Sequence, residues 1–542
     1  MNINQNSPLV HDAIVIGAGF SGIQQLHFLR DKLGLNALVL EAGASVGGTW
    51  YWNRYPGARC DSESHTYCFY FSEKILQDWN WSERYPGQKE ILKYLNFVTD
   101  RLNLRTNIHF NTRIKRAEYN QSKNVWILTS TQGEEFKAKY IIFAVGCLSS
   151  ANSPKIKGSQ DFTGELYHTG KWPHEKVDFS GKKVGIIGTG SSGIQAIPVI
   201  AKSAKKLTVF QRTPNFSVPA RNRKLSDEFI SEFKSNSSFY RKEMLAARHG
   251  HPWRAPDLSV RSTSKNKREI ILEQAWETGG LRFRESFGDT LTDLESNNLM
   301  SAFIKQKIFN LVQDPKKAKI LTNFDHPFGT KRPALDTNYF ETFNQKNVKL
   351  IDIKEDPIKC LNKTGLRTNL KKFNFDMIIF ATGFDALTGS ILKMQIIGRD
   401  GIHLSDVWED GPKTYLGLQV SGFPNLFVVT GPGSPSVLTN MPQSIDQNVT
   451  WITNCISYLM KNNFYKIEAE EQAMNAWMEH VQEEVDGTLF LNAKHSWYLG
   501  ANIEGKPRVF MPYVGGLDKY REICKEVAND GYRGFKFARE LD

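Results

Sequence analysis

Residues 13–22 read AIVIGAGFSG and residues 184–193 read VGIIGTGSSG, so one arrangement occurs twice in this chain: a short apolar run, then G-x-G-x-x-G. The apolar runs predict buried parallel strands, and the stretch after each glycine cluster predicts a helix. In each copy the first glycine (Gly17, Gly188) allows the tight turn. The second (Gly19, Gly190) lets backbone amides approach a pyrophosphate, and the third (Gly22, Gly193) brings helix against strand. Phe20 and Ser21 in the first copy, and Thr189, Ser191 and Ser192 in the second, stand where unpaired N–H groups of a helix N-terminus attract an anion.

A lone glycine motif is weak evidence, and the following strands strengthen it. Ala37–Leu40 leads into Glu41, nineteen residues past Gly22, the acidic position that bonds ribose hydroxyls; this suits the adenosine of FAD. Leu207–Gln211 leads into Arg212, at the same offset from Gly193. A guanidinium there suits a ribose 2′-phosphate, and so NADPH over NADH.

The predicted fold is α/β: two Rossmann-like dinucleotide-binding domains, the second nested in the first, with a helical insertion. At 542 residues the chain is longer than the roughly 250–300 residues that one core supports. Tyr140–Val145 and Met377–Thr382 read as strands that close each nucleotide unit. The expected limits are 1–146 with 386–542 for FAD, 147–222 with 326–385 for NADP, and 223–325 for the insertion, where Phe303, Ile304, Ile308 and Leu311 recur with helical spacing.

The N-terminal MNINQNSPLVHD has no positive leader region, and Gly17 interrupts the apolar stretch after it; a cytoplasmic protein without a membrane span is expected. Six scattered cysteines without a CxxC pair argue against a metal site or a redox disulfide. The net charge of +12 is spread over short clusters such as Lys265–Arg268, so nucleic acid is not an expected partner.

Between the glycine motifs lies Phe162-x-Gly164-x-x-x-His168-x-x-x-Trp172-Pro173, and after the first come Gly47-Gly48-Thr49-Trp50, Tyr55-Pro56-Gly57 and Asp61. In these segments, and in 328–344, 381–389 and 497–516, the chain resembles the Baeyer–Villiger monooxygenases, nearest the phenylacetone monooxygenase branch and further from the cyclohexanone monooxygenases. The resemblance implies an FAD- and NADPH-dependent enzyme that turns ketones and O2 into esters or lactones through a flavin C4a-peroxide, with sulfides as further substrates. No particular oligomer is required. The alternatives are a nitrogen- or sulfur-oxidising flavin monooxygenase and an uncoupled NADPH oxidase.

The same resemblance implies residue roles. Arg332 becomes the cation beside the reacting oxygen, oriented by Asp61; a fixed charge there stabilises developing negative charge. Lys331 and Thr213 join Arg212 on the 2′-phosphate. Gly48, Thr49, Trp50, Tyr55, Tyr67 and Met441 stand near the flavin, and Trp497 approaches NADP+ or packs in the core. Cys147, Leu148, Ser436, Val437, Leu438 and Met441 line the substrate pocket, Cys147 being unusual for the family. Phe162, Gly164, His168, Trp172 and Pro173 form a hinge in which Gly164 and Gly170 let the linker bend.

Overall fold

In the computed structural model, which describes residues 9–539, the two glycine-motif strands occupy equivalent places in two sheets. Val10–Ile16 lies between Ala37–Leu40 and Glu135–Phe143, parallel to both. Lys183–Ile187 lies between Lys206–Gln211 and Met377–Phe380, again parallel to both. Central strands covered on both faces have no solvent side, which is why Ala13–Ile16 and Val184–Ile187 are continuously apolar and buried.

The first sheet has eight strands. Glu135–Phe143 is shared along its length: its first half pairs antiparallel with Val125–Ser130, its second half parallel with Leu426–Val428. Gln395–Ile397 adds to the far edge beside Ile114–Asn120. The chain therefore leaves the first sheet, builds the second, and comes back. The second sheet is five-stranded and parallel, in the order Val348–Asp352, Lys206–Gln211, Lys183–Ile187, Met377–Phe380, Glu165–His168.

Helices dominate the stretch inserted between Pro219 and Pro327, including Asp227–Ser235, Ser237–Leu245, Lys265–Thr278, Leu294–Leu311 and Pro315–Leu321. Their starts are written locally: Ser226, Asp293 and Asp314 each accept a backbone N–H of the first turn, and Pro315 follows Asp314 where no N–H is needed. Ile304 and Ile308 point into the core, with Phe303 and Leu311 packed at its margin.

Each sheet has its own core, and Tyr55, Ala58 and Tyr85, from the first unit's sequence, pack into the second. The helix Met441–Lys461 covers the first glycine helix, Phe20–His27. Gln24 Nε2 donates to Asp446 Oδ1 (2.5 Å) and Gln25 Nε2 to Thr453 Oγ1 (3.1 Å). Among the described residues no helix is long and apolar enough to cross a membrane, and all six cysteines are free thiols. Residues 1–8 of the N-terminal stretch lie outside the described residues.

Candidate active site

Both glycine turns open on one cavity of about 650 Å³. Gly19, Phe20 and Ser21 line it from the first sheet, and Thr189, Gly190, Ser191 and Ser192 from the second. The three glycines of each motif differ physically in the way the spacing predicts. Gly17 and Gly188 have φ of +104° and +112°, and a β-carbon on either would press on a carbonyl, of Ala144 or Ala381. A β-carbon on Gly22 would sit 1.8 Å from Gly17 O, and one on Gly193 2.3 Å from Gly188 O. Around Gly190 nothing lies within 4 Å, and Gly19 meets only Gly48. The first and third glycines are thus consumed by packing, while the second leaves backbone exposed to the cavity. Two dinucleotide pyrophosphates fit these turns.

Glu41 stands behind the cavity wall, where Oε2 accepts from Ala18 N and Oε1 from Gly43 N, both at 2.6 Å. Burial raises its pKa against those two donors. Gly48, Thr49, Trp50, Tyr55, Tyr67 and Met441 all border the cavity. Gly48 and Gly19 face each other backbone to backbone, since a β-carbon on Gly48 would come 2.9 Å from Gly19 Cα. Trp50 Nε1 donates to Tyr67 Oη (3.3 Å), and Tyr55 Oη to Gln195 Oε1 (2.8 Å). Gln195, which no motif singles out, thereby ties the loop of the first unit to the glycine helix of the second, its Nε2 also bonding Arg59 O at 3.0 Å.

Arg332 reaches the same cavity and is half-buried there. Its Nε and Nη2 donate to Asp61 Oδ2 (2.5 Å) and Oδ1 (2.9 Å), and Nη1 to Val437 O (2.9 Å). Burial opposes the charge, but Asp61 more than compensates and raises the guanidinium pKa above its ordinary value. A guanidinium has five N–H donors; three are engaged here, leaving two for a ligand.

At another wall Arg212, Thr213, Lys331 and His495 converge. Asp325 sits among them, 3.8 Å from Lys331 Nζ and 3.7 Å from Lys354 Nζ, accepting from His326 Nδ1 (2.9 Å) and Thr213 Oγ1 (3.3 Å). Burial would raise its pKa, but His326, Lys331 and Lys354 hold it far below the carboxylate range. Lys354 and Asp325 escape sequence reasoning because only tertiary folding brings them to Arg212.

Of the pocket residues, Cys147, Leu148, Val437 and Met441 line the cavity, as does the half-buried Trp497. Burial pushes the Cys147 thiol up to about 11, so it is neutral at pH 7. Ser436 and Leu438 turn away: Ser436 has φ +42° and its hydroxyl bonds Thr430 O (3.2 Å), while Leu438 packs against the C-terminal segment.

The fingerprint residues stand off the cavity, and one expectation about them changes. Glu165–His168 is the edge strand of the second sheet, paired with Met377–Phe380, so this part of the segment is ordered structure and not a free linker. Gly164 and Gly170 do not adopt positive φ. A β-carbon on Gly164 would strike Phe162 and Asp376 O, and one on Gly170 the ring of Phe384; close packing, not bending, requires them. His168 Nε2 faces Asn152 O (3.1 Å) and Thr382 Oγ1 (3.2 Å), and its Nδ1 accepts from Gly170 N (3.0 Å). Trp172 packs against Tyr167 and Phe179, and Pro173 follows it.

A family model described as pyridine nucleotide-disulphide oxidoreductase matches residues 14–274, although the chain has no paired cysteines to go with that description. The cyclohexanone 1,2-monooxygenase of Acinetobacter sp. is 40% identical, over 97% of this chain and 96% of that protein. A Baeyer-Villiger monooxygenase of Pseudooceanicola batsensis is 41% identical, over 96% and 95%. The solved structure of an oxidized steroid monooxygenase bound to NADP superposes with a TM-score of 0.94 at 44% identity, covering 98% of this chain and all of that one. With two dinucleotide cradles, no disulfide pair and relatives of this identity along nearly its whole length, the chain belongs to the Baeyer–Villiger monooxygenases, flavoprotein oxidoreductases that use FAD and NADPH.

Proposed function

We propose that this enzyme inserts one oxygen atom of O2 into the C–C bond beside a ketone carbonyl: ketone, O2, NADPH and H+ give ester or lactone, NADP+ and water. FAD, reduced by NADPH, supplies the oxygen activation. The observation that carries the reading is Arg332, clamped on Asp61 where the two nucleotide sites and the apolar pocket walls meet.

The first glycine turn and the 48–67 loop hold FAD, with Glu41 toward the ribose. The second turn holds NADPH, and Arg212, Thr213 and Lys331 take its 2′-phosphate, Lys354 adding charge. Arg332 offers its two unengaged donors to NADP+ and to the oxygen on which negative charge develops; Asp61 fixes its direction. Cys147, Leu148, Val437 and Met441 exclude water around the ketone, and Ser436 and Leu438 shape that wall from behind. The fingerprint segment positions the second domain during the cycle. The domain limits 1–146 with 386–542, 147–222 with 326–385, and 223–325 belong to the same proposal, as do a cytoplasmic location, which suits six free thiols, and action without nucleic acid or an obligatory oligomer.

Incubation of the holoenzyme with NADPH and a panel of linear, aryl and cyclic ketones, together with an aryl methyl sulfide, tests the reading. Ester formation with at least one ketone class is expected, with sulfoxide as a side activity. Sulfoxide without any ester would favour the nitrogen- and sulfur-oxidising reading, and hydrogen peroxide alone an NADPH oxidase.

A further inference from the structure

The pocket segment that holds Arg332 is held in turn by the helical insertion. Val437 O takes Arg332 Nη1, and the next carbonyl, Leu438 O, faces Nδ1 of His249 at 3.2 Å. Asn440 N, two residues on, donates to the backbone carbonyl of His249 at 2.9 Å. His249 belongs to the insertion, between the helices Ser237–Leu245 and Lys265–Thr278. Its Nε2 lies 3.3 Å from Glu285 Oε1, which Arg284 Nε also reaches at 3.1 Å.

Both ring nitrogens thus face oxygen acceptors. Burial, then Arg284 and Arg248, hold the ring well below the ordinary histidine value, so it is neutral and has one proton for two oxygens. Glu285 is already served by Arg284, whereas Leu438 O has no other donor among the described residues and is buried. An unserved buried carbonyl is costly, so the proton belongs on Nδ1. His249 then locks the peptide adjoining the one that anchors Arg332, without adding a second positive charge beside it.

We propose that His249 is a positioning residue for oxygen transfer: through Leu438 O it fixes the 437–440 segment and with it the orientation of Arg332. This rests on the role given to Arg332 above. In the correct geometry electrons from NADPH end in ester and water. When Arg332 is misdirected, the same NADPH, H+ and O2 give NADP+ and hydrogen peroxide.

Two amide variants separate the contacts. In His249→Asn the side-chain nitrogen can stand at the Nδ1 position and serve Leu438 O; in His249→Gln it extends toward Glu285. Flavin content, the rate of flavin reduction by NADPH, ester and hydrogen peroxide per NADPH, and hydrogen–deuterium exchange of amides 437–444 without cofactor are measured for both. The expected result is that His249→Asn stays within about twofold of wild type in every readout. His249→Gln should keep flavin content and reduction rate, lower the ester-to-peroxide ratio at least fivefold, and speed exchange of the segment. Equal behaviour of the two variants, or a Gln variant with a wild-type ratio and exchange, overturns the proposal, as does a parallel loss of flavin from both. Arg332→Ala, run alongside, keeps the readings apart: if it retains wild-type coupling, the role of Arg332 fails, while the exchange data still judge the contact of His249.

Discussion

At Gly22 one added β-carbon would lie 1.8 Å from Gly17 O, backbone that has nowhere to move, whereas at Gly190 it would meet open cavity. Gly22→Ala is therefore expected to yield protein that is largely insoluble or flavin-free. Gly190→Ala should fold with full flavin and lose affinity for NADPH. Flavin absorbance relative to protein absorbance, with coenzyme titration, checks both; a flavin-replete Gly22→Ala enzyme would contradict the packing argument. Arg212 is exposed and makes no ion pair of its own among the described residues, while neighbouring Lys331 and Thr213 share Asp325. Losing its charge-assisted phosphate contact should cost about 1.5–3 kcal/mol, or roughly 10–150-fold. Arg212→Ala should raise the KM for NADPH by that factor and leave the KM for NADH nearly unchanged, and steady-state kinetics with both coenzymes decide it. Equal effects would remove the 2′-phosphate assignment. The offset from Gly193 made Arg212 readable from sequence, because the strand–turn–helix unit has a fixed length. Asp325 and Lys354 were not readable, since nothing local relates them to that unit.

The strand Glu165–His168 shows where element-level reading stops. Its pairing with Met377–Phe380 joins residues about two hundred positions apart. The polar segment does not announce an edge strand by alternation, so it reads as a linker. The glycine-motif strands were legible because burial on both faces leaves a continuous apolar run. The helices of the insertion were legible from the spacing of Ile304 and Ile308, but not their placing of His249 against the pocket. His168 bonds Gly170 N beside it and Asn152 O and Thr382 Oγ1 of the cavity wall, and burial, with Lys171 nearby, lowers its pKa against the contact with Asn152 O. A neutral, internally satisfied ring is suited to holding the edge in place, not to exchanging protons with substrate. His168→Ala is expected to bind FAD normally, slow flavin reduction or turnover, and retain every limb of the wild-type pH–rate profile. Disappearance of a limb at or below the ordinary histidine value of ~6.5 would assign it acid–base work instead.

Over the whole molecule, two sheets with separate cores are joined around the cavity by Tyr55, Ala58 and Tyr85 packing into the second core and by ties such as Tyr55–Gln195 and Arg332–Asp61, so stability and turnover both depend on what is buried at that junction. His251 is buried there, stacked on Trp253 at 4.5 Å, and burial, then Arg332 and His249, hold its pKa well below the ordinary value. The sign follows: the unfolded chain takes up this proton first, so the contribution of the neutral ring to stability is complete above pH ~6.5 and declines as the pH falls below it, by up to about 1.4 kcal/mol per unit. Melting temperature should drop between pH 7 and pH 5, and less steeply in His251→Phe; equal slopes would exclude His251 as a source. The central claim is that Arg332, not the nucleotide sites alone, directs the electrons of NADPH into the ketone. Removing a single preorganised donor from a site of developing charge costs on the order of 10²–10³ in rate. The decisive measurement is ester and hydrogen peroxide formed per NADPH consumed by Arg332→Ala with a ketone that the wild-type enzyme oxidises. The account predicts continued, weakened NADPH consumption with little or no ester and hydrogen peroxide in its place, and a milder shift in Asp61→Ala. Ester formed by Arg332→Ala at wild-type coupling would contradict it.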